Sequence, residues 1–286
     1  MEKSRRYFIQ KSAFGMAGLT IGGMVMSAGD SSFATKPKES KVKLLSAVNE
    51  TKLLEEIQNI IKADQFDFFG IGNLSNYSDK LIEYGYPLAE KYSKTISIGF
   101  AMVPSIVDKL SVKPEFPSLE LYQHFCYDLI NQSIDNSLLK LSKVLIKYGY
   151  DALPIPATKA RDNNKPLYGA FSHKAAANIS GLGWIGKSCL LITESVGPRV
   201  RWGTILTNAP LTPTGSLMER DCGNCNVCVK NCPAGAFTGN NFKMNEGRED
   251  RYDAFKCRDH IIQRGKEYGL SVCGICVKVC PYGKTT

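Results

Sequence analysis

The sequence predicts an α/β domain over residues 35–215 followed by a small cysteine-rich α+β segment over residues 216–286, with a leader at residues 1–34. Three observations support this reading. Apolar runs of strand length alternate with stretches of helical period as far as about residue 215. Eight of the ten cysteines fall in the last 65 residues. The N-terminus sets paired arginines before a long uncharged stretch.

The leader reads Ser4-Arg5-Arg6-Tyr7-Phe8-Ile9-Gln10-Lys11, then carries no charge from Ser12 to Gly29. Paired arginines, an aromatic, a lysine and a weakly apolar stretch resemble a twin-arginine export signal. Gly15, Gly18, Gly22 and Gly23 make the stretch less apolar than a spanning helix of about 20 residues requires. Ser32-Phe33-Ala34 is a candidate cleavage site, with an uncleaved membrane anchor as the alternative. The expected location is the periplasm or the outer face of the cytoplasmic membrane. Cleavage would lower the formal charge from +9 to +7. No basic run interleaved with aromatics is present, so nucleic acid is not an expected partner.

In the α/β part, a helix is expected over Glu50–Ala63, with Leu53, Leu54, Ile57, Ile60 and Ile61 on one side. Phe66–Gly72 and Thr95–Val103 read as strands, the second ended by Pro104. A long helix capped by Ser118 runs to Tyr148 on the stripe Tyr122, Phe125, Leu129, Ile134, Leu138, Leu141 and Leu145. A strand near Ala152–Ile155 and a short helix over Lys174–Ile179 follow. After the turn Gly181-Leu182-Gly183, strands are expected at Ser188–Thr193 and Val200–Thr207. Cys126 and Cys189 stand alone in apolar surroundings and read as small buried hydrophobes.

The clustered cysteines carry the chemistry. Cys222-x2-Cys225-x2-Cys228-x3-Cys232-Pro233 has the bacterial ferredoxin spacing, in which the fourth cysteine serves the other of two clusters. Cys257-x15-Cys273-x2-Cys276-x3-Cys280-Pro281 repeats the order with a stretched first interval. Two copies with exchanged fourth ligands predict two [4Fe–4S] clusters. Cys222, Cys225, Cys228 and Cys280 would hold the first; Cys232, Cys257, Cys273 and Cys276 would hold the second. Zinc and disulfides are the competing readings of such cysteines. Clusters are built in a reducing cytoplasm, so export would require a folded, loaded chain, which is what a twin-arginine signal provides.

No phosphate-binding glycine loop, serine-hydrolase elbow or His-Glu-x-x-His zinc motif is present, and His124, His173 and His260 are scattered. What the clusters serve is therefore open at the level of motifs.

The stretch from Ala177 through Gly181-Leu182-Gly183-Trp184-Ile185-Gly186-Lys187 to Ile192 resembles a signature of epoxyqueuosine reductases. Gly197-Pro198-Arg199-Val200-Arg201 with Thr207-Asn208-Ala209-Pro210-Leu211 looks more like reductive dehalogenases. The resemblance covers roughly residues 65–286. It implies a corrinoid domain of nitroreductase-like fold before a double-cluster segment, with a base-off cobalamin held mainly by backbone. Gly181, Gly183, Trp184 and Gly186 are then candidates to line the corrin, with a plain helix-to-strand turn as the alternative. It further implies a tyrosine acid beside a basic group. Tyr148, Tyr150 and Tyr168 are the candidates, with Lys187 or Arg201 as the charge, and core packing as the ordinary role of each tyrosine.

Epoxyqueuosine reductases carry an acidic proton donor some fourteen positions before the glycine turn, and Pro166-Leu167-Tyr168-Gly169-Ala170 holds no acid. With the export signal, this tips the expectation towards a dehalogenase-type, corrinoid-dependent reductase. The alternative is an electron-transfer protein with no corrinoid or catalysis of its own; a flavin reductase on the same scaffold has no motif behind it. Expected partners are an electron-donor protein or quinol-linked chain, a small-molecule substrate and, from the resemblance alone, a small membrane-anchor subunit.

Overall fold

The computed structural model describes residues 42–83, 86–115, 117–157, 167, 169–244 and 246–283. The leader, its cleavage site and Tyr168 lie outside the described residues. Val42–Lys278 contain nine α-helices among these: α1 (Val42–Ala63), α2 (Ser78–Glu83), α3 (Pro104–Val107), α4 (Ser118–Gln123), α5 (Ile130–Lys147), α6 (His173–Ile179), α7 (Val227–Asn231), α8 (Ala254–Tyr268) and α9 (Ile275–Lys278). No helix among the described residues is long and apolar enough to cross a membrane.

Strands β1 (Phe68–Asn73), β2 (Lys94–Ala101), β3 (Ala152–Ile155) and β6 (Val200–Thr207) form one sheet in the order β1-β2-β6-β3, antiparallel throughout. Ile96 pairs with Ile205, and Gly99 with Trp202. The alternation of β2 sorts its faces. Ile96 and Ile98 join Ile134, Leu138, Leu141 and Leu145 of α5 and Leu53 and Ile57 of α1 in one buried core. On the other side, Leu206 and Ile155 pack with Ala176 and Ile179 of α6. The sheet is thus a sandwich filling between α1 with α5 and the short α6.

Several boundaries differ from the sequence reading. α1 begins eight residues earlier than expected. Ser118 does not cap its helix: Pro117 is the N-cap residue, and the Ser118 hydroxyl donates to the Glu115 carbonyl at 2.7 Å. The long helix is interrupted by a π turn over His124–Leu129. The extra residue of a π turn rotates the face that follows. Here it buries Cys126 while leaving Phe125 and Leu129 exposed, so the expected stripe breaks at those two positions. The strand foreseen at Ser188–Thr193 shortens to β5 (Leu191–Ile192), paired with β4 (Trp184–Ile185).

The cysteine-rich segment shares the main core rather than building one of its own. Val272, Ile275 and Val277 are buried with Leu110 and Tyr122. Gly274 shows why the contact is close: its φ is +76°, and a Cβ there would stand 2.8 Å from Tyr122 and 2.7 Å from Leu110. Only glycine meets both conditions.

Candidate redox centre

The fold brings the eight clustered cysteines into two quartets. Burial and the neighbouring Cys222, Cys280 and Cys225 push the Cys228 thiol up to about 11. Burial, with Cys222 and Cys225 nearby, likewise raises Cys280 to about 11. Cys280 therefore sits with the first run, some fifty residues away in sequence. In the other quartet, burial and the neighbouring Cys273, Cys257 and Cys232 raise Cys276 strongly. Burial raises Cys257 too, with Cys273 and Cys232 adding to it and a Tyr252 hydrogen bond opposing. Crowded, desolvated thiols hold their protons until a metal displaces them, so this donor set suits soft metal chemistry. Among the described residues, no three His, Cys, Asp or Glu side chains converge as they would on one ion. Four thiols that each meet a different corner of a cubane need not converge.

Backbone geometry serves both quartets. The amide of Ala236 donates to the Cys232 sulfur at 3.4 Å, and amides at Val229, Tyr282, Gly283 and Ile275 face Cys228, Cys280 and Cys273. Such N–H groups favour the negative sulfur. Cys228 and Cys276 also feel one another, so the two quartets are neighbours.

Four buried or half-buried side chains hold this region in place, and none was singled out as such from sequence. Lys187 is buried and donates to the Gly223 carbonyl at 2.8 Å and to Asn226 Oδ1 at 3.1 Å, inside the first loop. Arg199 pairs with Asp108 at 2.7 Å. Arg264 is 2% exposed and donates to the carbonyls of Val272 at 2.8 Å, Val112 at 2.7 Å and Ser111 at 3.3 Å. Tyr252 stacks on Phe237 with ring centroids 5.4 Å apart and bonds Cys257.

A cleft opens beside the second quartet. Tyr252 lies within the field of Cys257, Cys276 and Cys189, and Cys189 lines a cavity of about 330 Å³ with His173, Lys174, Arg201, Trp202 and Arg248. A second cavity of about 230 Å³ shares Tyr86, Ser172, Lys174 and Arg248 with it. His173 stands between Thr204 Oγ1 at 2.8 Å and the Pro156 carbonyl at 3.0 Å. Burial lowers its imidazole to about 4 and keeps it neutral. The Lys174 ammonium donates to the Cys189 carbonyl at 2.8 Å, and burial lowers its pKa.

Among the described residues, neither Tyr148 nor Tyr150 is brought to Lys187 or Arg201. Tyr148 ends α5 and donates to Glu56 Oε1 at 2.8 Å, which raises the phenol pKa instead of lowering it. Tyr150 packs at the edge of the main core. Lys187 is committed to the first cysteine loop through Gly223 and Asn226. Of the described candidates, Arg201 lines the cleft, where its guanidinium lies 4.0 Å from the centre of the Tyr127 ring and its Nε donates to Asn131 at 3.1 Å. Tyr127 was hidden because the π turn that aims it leaves no signature in the residue pattern.

The residues assigned to a corrinoid do not fit that role. A Cβ on Gly183 would stand 2.3 Å from the Ile192 carbonyl oxygen, and one on Gly181 3.1 Å from that of Ser216. Gly186 faces Ile192 and the Cys222 sulfur. Trp184 is fully buried against Tyr282, with Arg220 over its ring. These glycines admit the chain's own backbone, and the plain-turn alternative describes them.

Comparison with known proteins agrees with this division. Residues 221–283 match the family model of a 4Fe-4S double cluster binding domain. The chain is similar to epoxyqueuosine reductase of Listeria monocytogenes, 37% identical over 119 residues that span 41% of this chain and 31% of that one. It is also similar to epoxyqueuosine reductase of Synechococcus, 33% identical over 111 residues, 39% of this chain and 34% of the relative. The stretches matched are thus about a third of these relatives. Among solved structures, the fold is shared with the catabolic reductive dehalogenase NpRdhA, at TM-score 0.58 and 18% identity over 80% of this chain and 31% of that chain. It is shared with epoxyqueuosine reductase of Bacillus subtilis, at TM-score 0.53 and 20% identity over 82% and 66%.

The chain is therefore an iron–sulfur protein whose α/β part has the fold common to these two enzyme groups. Two expectations change. The curated relatives are epoxyqueuosine reductases, so the preference for a dehalogenase loses its support. The exclusion of nucleic acid is overturned as well: the matched relatives are epoxyqueuosine reductases, enzymes named for a modified tRNA nucleoside.

Proposed function

We propose that this chain is an iron–sulfur reductase of the epoxyqueuosine-reductase kind, reducing an electrophilic group held in the cleft beside α6. Cys222, Cys225, Cys228 and Cys280 would hold one [4Fe–4S] cluster, and Cys232, Cys257, Cys273 and Cys276 the other. When bound, each cluster supplies one-electron storage. What supports the reading most is the crossed placement of Cys232 and Cys280, next to a cleft that Cys189 and Tyr252 connect to the second quartet. The chain's own residues would do the rest. Lys187 and Arg264 fix the two cysteine loops, neutral His173 and Lys174 shape the cleft floor, and Arg201 offers a fixed charge.

The stretch Pro166-Leu167-Tyr168-Gly169-Ala170 holds no acid where the resemblance to epoxyqueuosine reductases implies one. Lys174 in a desolvated site, its pKa lowered by burial, is the group nearest to hand for proton delivery. No step is assigned to a corrinoid, because the residues expected to cradle it are filled by the chain itself.

The test is anaerobic reconstitution of the full chain, followed by metal analysis and turnover. About eight irons per chain are expected. With reductant supplied, an epoxyqueuosine-modified stem loop should lose one oxygen atom, read by mass spectrometry of the nucleoside. Full iron with no turnover of that substrate or of a halophenol would leave the electron-transfer reading. About one cobalt per chain after growth with cobalamin would restore the corrinoid. We propose as a separate reading that residues 1–34 direct export, on the support of the Ser4–Lys11 pattern; an exported chain would not meet tRNA, and the halophenol would then be the probe turned over.

A further inference from the structure

Arg251 is 4% exposed, yet neither its Nε nor its Nη1 has a hydrogen-bond partner. No ion pair involves it among the described residues. One face of the guanidinium is backed by the Phe242 ring, 4.7 Å from its centroid. A buried charge without a partner is strongly unfavourable, and a fold retains one where something else supplies the counter-charge. Arg251 lines the cavity of about 230 Å³ between α6 and the loop at 242–251.

The rest of that cavity has two characters. Lys174 and Arg248 also line it; burial lowers the Lys174 pKa most, and the charges of Arg251 and Arg248 lower it further. Three carboxylates are present too. Glu249 is paired with Arg248 at 2.6 Å, Glu246 with Lys243 at 2.8 Å, and Glu83 is exposed at the rim. Apart from those pairs, the lining offers Arg251, whose Nε and Nη1 have no partner, and the Lys174 ammonium, whose bond to the Cys189 carbonyl is its one hydrogen bond among the described residues. Leu81, Ile179, Ile185, Phe242 and Met244 make the wall apolar. Two cations in an apolar-walled cavity match a small molecule that has an oxyanion head and an apolar body.

We propose that this cavity is a binding site for a small organic oxyanion, a carboxylate or a phosphate ester, whose head is held by Arg251 and Lys174. The site goes beyond the reductase reading and stands whether or not the cleft reduces anything. Its residues are separate from both thiol quartets, so ligand binding can be read without turnover.

The experiment is calorimetric titration of the cluster-reconstituted full chain with benzoate, phenyl phosphate and inorganic phosphate. Saturable one-to-one binding of benzoate or phenyl phosphate is expected, tighter than inorganic phosphate because of the apolar wall. Tighter benzoate identifies a carboxylate ligand, and tighter phenyl phosphate a phosphate ester. Arg251→Gln should weaken binding about tenfold or more, the loss of a charge-assisted hydrogen bond, and Arg251→Lys should restore part of it. Cluster absorption reports whether each variant is folded. If Arg251→Gln loses its clusters, Lys174→Gln replaces it, with the same expected direction. No saturable binding of any probe would overturn the proposal and leave the clusters' own negative charge as the counter-ion of Arg251. Unchanged affinity in a folded Arg251→Gln protein would overturn it too.

Discussion

The ammonium of Lys187 donates to the carbonyl of Gly223 across 2.8 Å, joining the turn between β4 and β5 to the first cysteine loop. A second bond to Asn226 Oδ1 at 3.1 Å fixes the start of α7, which carries Cys228. Lys187 is 6% exposed, so its removal leaves two acceptors with no replacement. Lys187→Met should destabilise the loaded protein by about 2 kcal/mol, the cost of a buried charged hydrogen bond. It should also lower iron occupancy at the first quartet before the second. Denaturant unfolding with parallel iron analysis checks both. An unchanged midpoint would mean that the lysine is incidental to the loop.

The crossed quartets can be separated by paired substitutions. Cys225→Ser and Cys280→Ser should damage the same cluster although the residues stand in different runs, because Cys280 lies among Cys222 and Cys225. Cys232→Ser should damage the other. In EPR of the reduced protein, the first two variants should leave one common residual signal and Cys232→Ser a different one. A match between Cys225→Ser and Cys232→Ser instead would show uncrossed ligation.

His173 gives the protein a defined response to acid. Its folded-state pKa is lowered to about 4 by burial, against an ordinary value of 6.5. Above pH 6.5 both folded and unfolded chains hold it neutral, and it has no effect. Between 6.5 and 4 the unfolded chain binds the proton and the folded one does not, so stability falls with pH, by up to about 1.4 kcal/mol per unit. Below 4 the loss is complete. His173→Asn should flatten that part of the stability profile, measured by thermal unfolding from pH 7 to 4.5. A slope equal to that of the parent would place the acid sensitivity elsewhere.

Much of this architecture is legible in residue order, for reasons that differ by element. Val200–Thr207 is legible because a central strand in contact with α5 on one face and α6 on the other must be apolar or small where it is packed, as its buried run from Gly203 to Thr207 is. The two quartets were readable because cluster geometry restricts the spacing of Cys222, Cys225 and Cys228. The glycine turn misled. Gly183 admits the Ile192 carbonyl, and a missing Cβ records that something approaches without saying what. The arginines were silent for another reason. Arg251 and Arg264 lie in a stretch dense with charge, and only the fold tells a buried guanidinium from a solvated one. Long-range acceptors such as Val112, 152 positions from Arg264, leave no trace in local pattern.

Arg264 offers the sharpest separation of structure from redox tuning. Its guanidinium ties α8 to the Val272 carbonyl of the second cysteine loop and to the Ser111 and Val112 carbonyls of the α/β part. It also lies near enough to Cys273 to lower that thiol's pKa, against the larger effect of burial. A fixed positive charge beside a cluster ligand favours the more negative, reduced state, so it raises the reduction potential. Arg264→Met removes both the fork and the charge. It should cost on the order of 3 kcal/mol through three orphaned carbonyls and shift the second cluster to lower potential. Arg264→Lys keeps the charge but has no planar fork to reach three carbonyls in two segments. It should recover most of the potential and little of the stability. Redox titration followed by EPR, beside denaturant unfolding, reads the two effects independently. A potential unmoved in Arg264→Met would confine this residue to holding the loop.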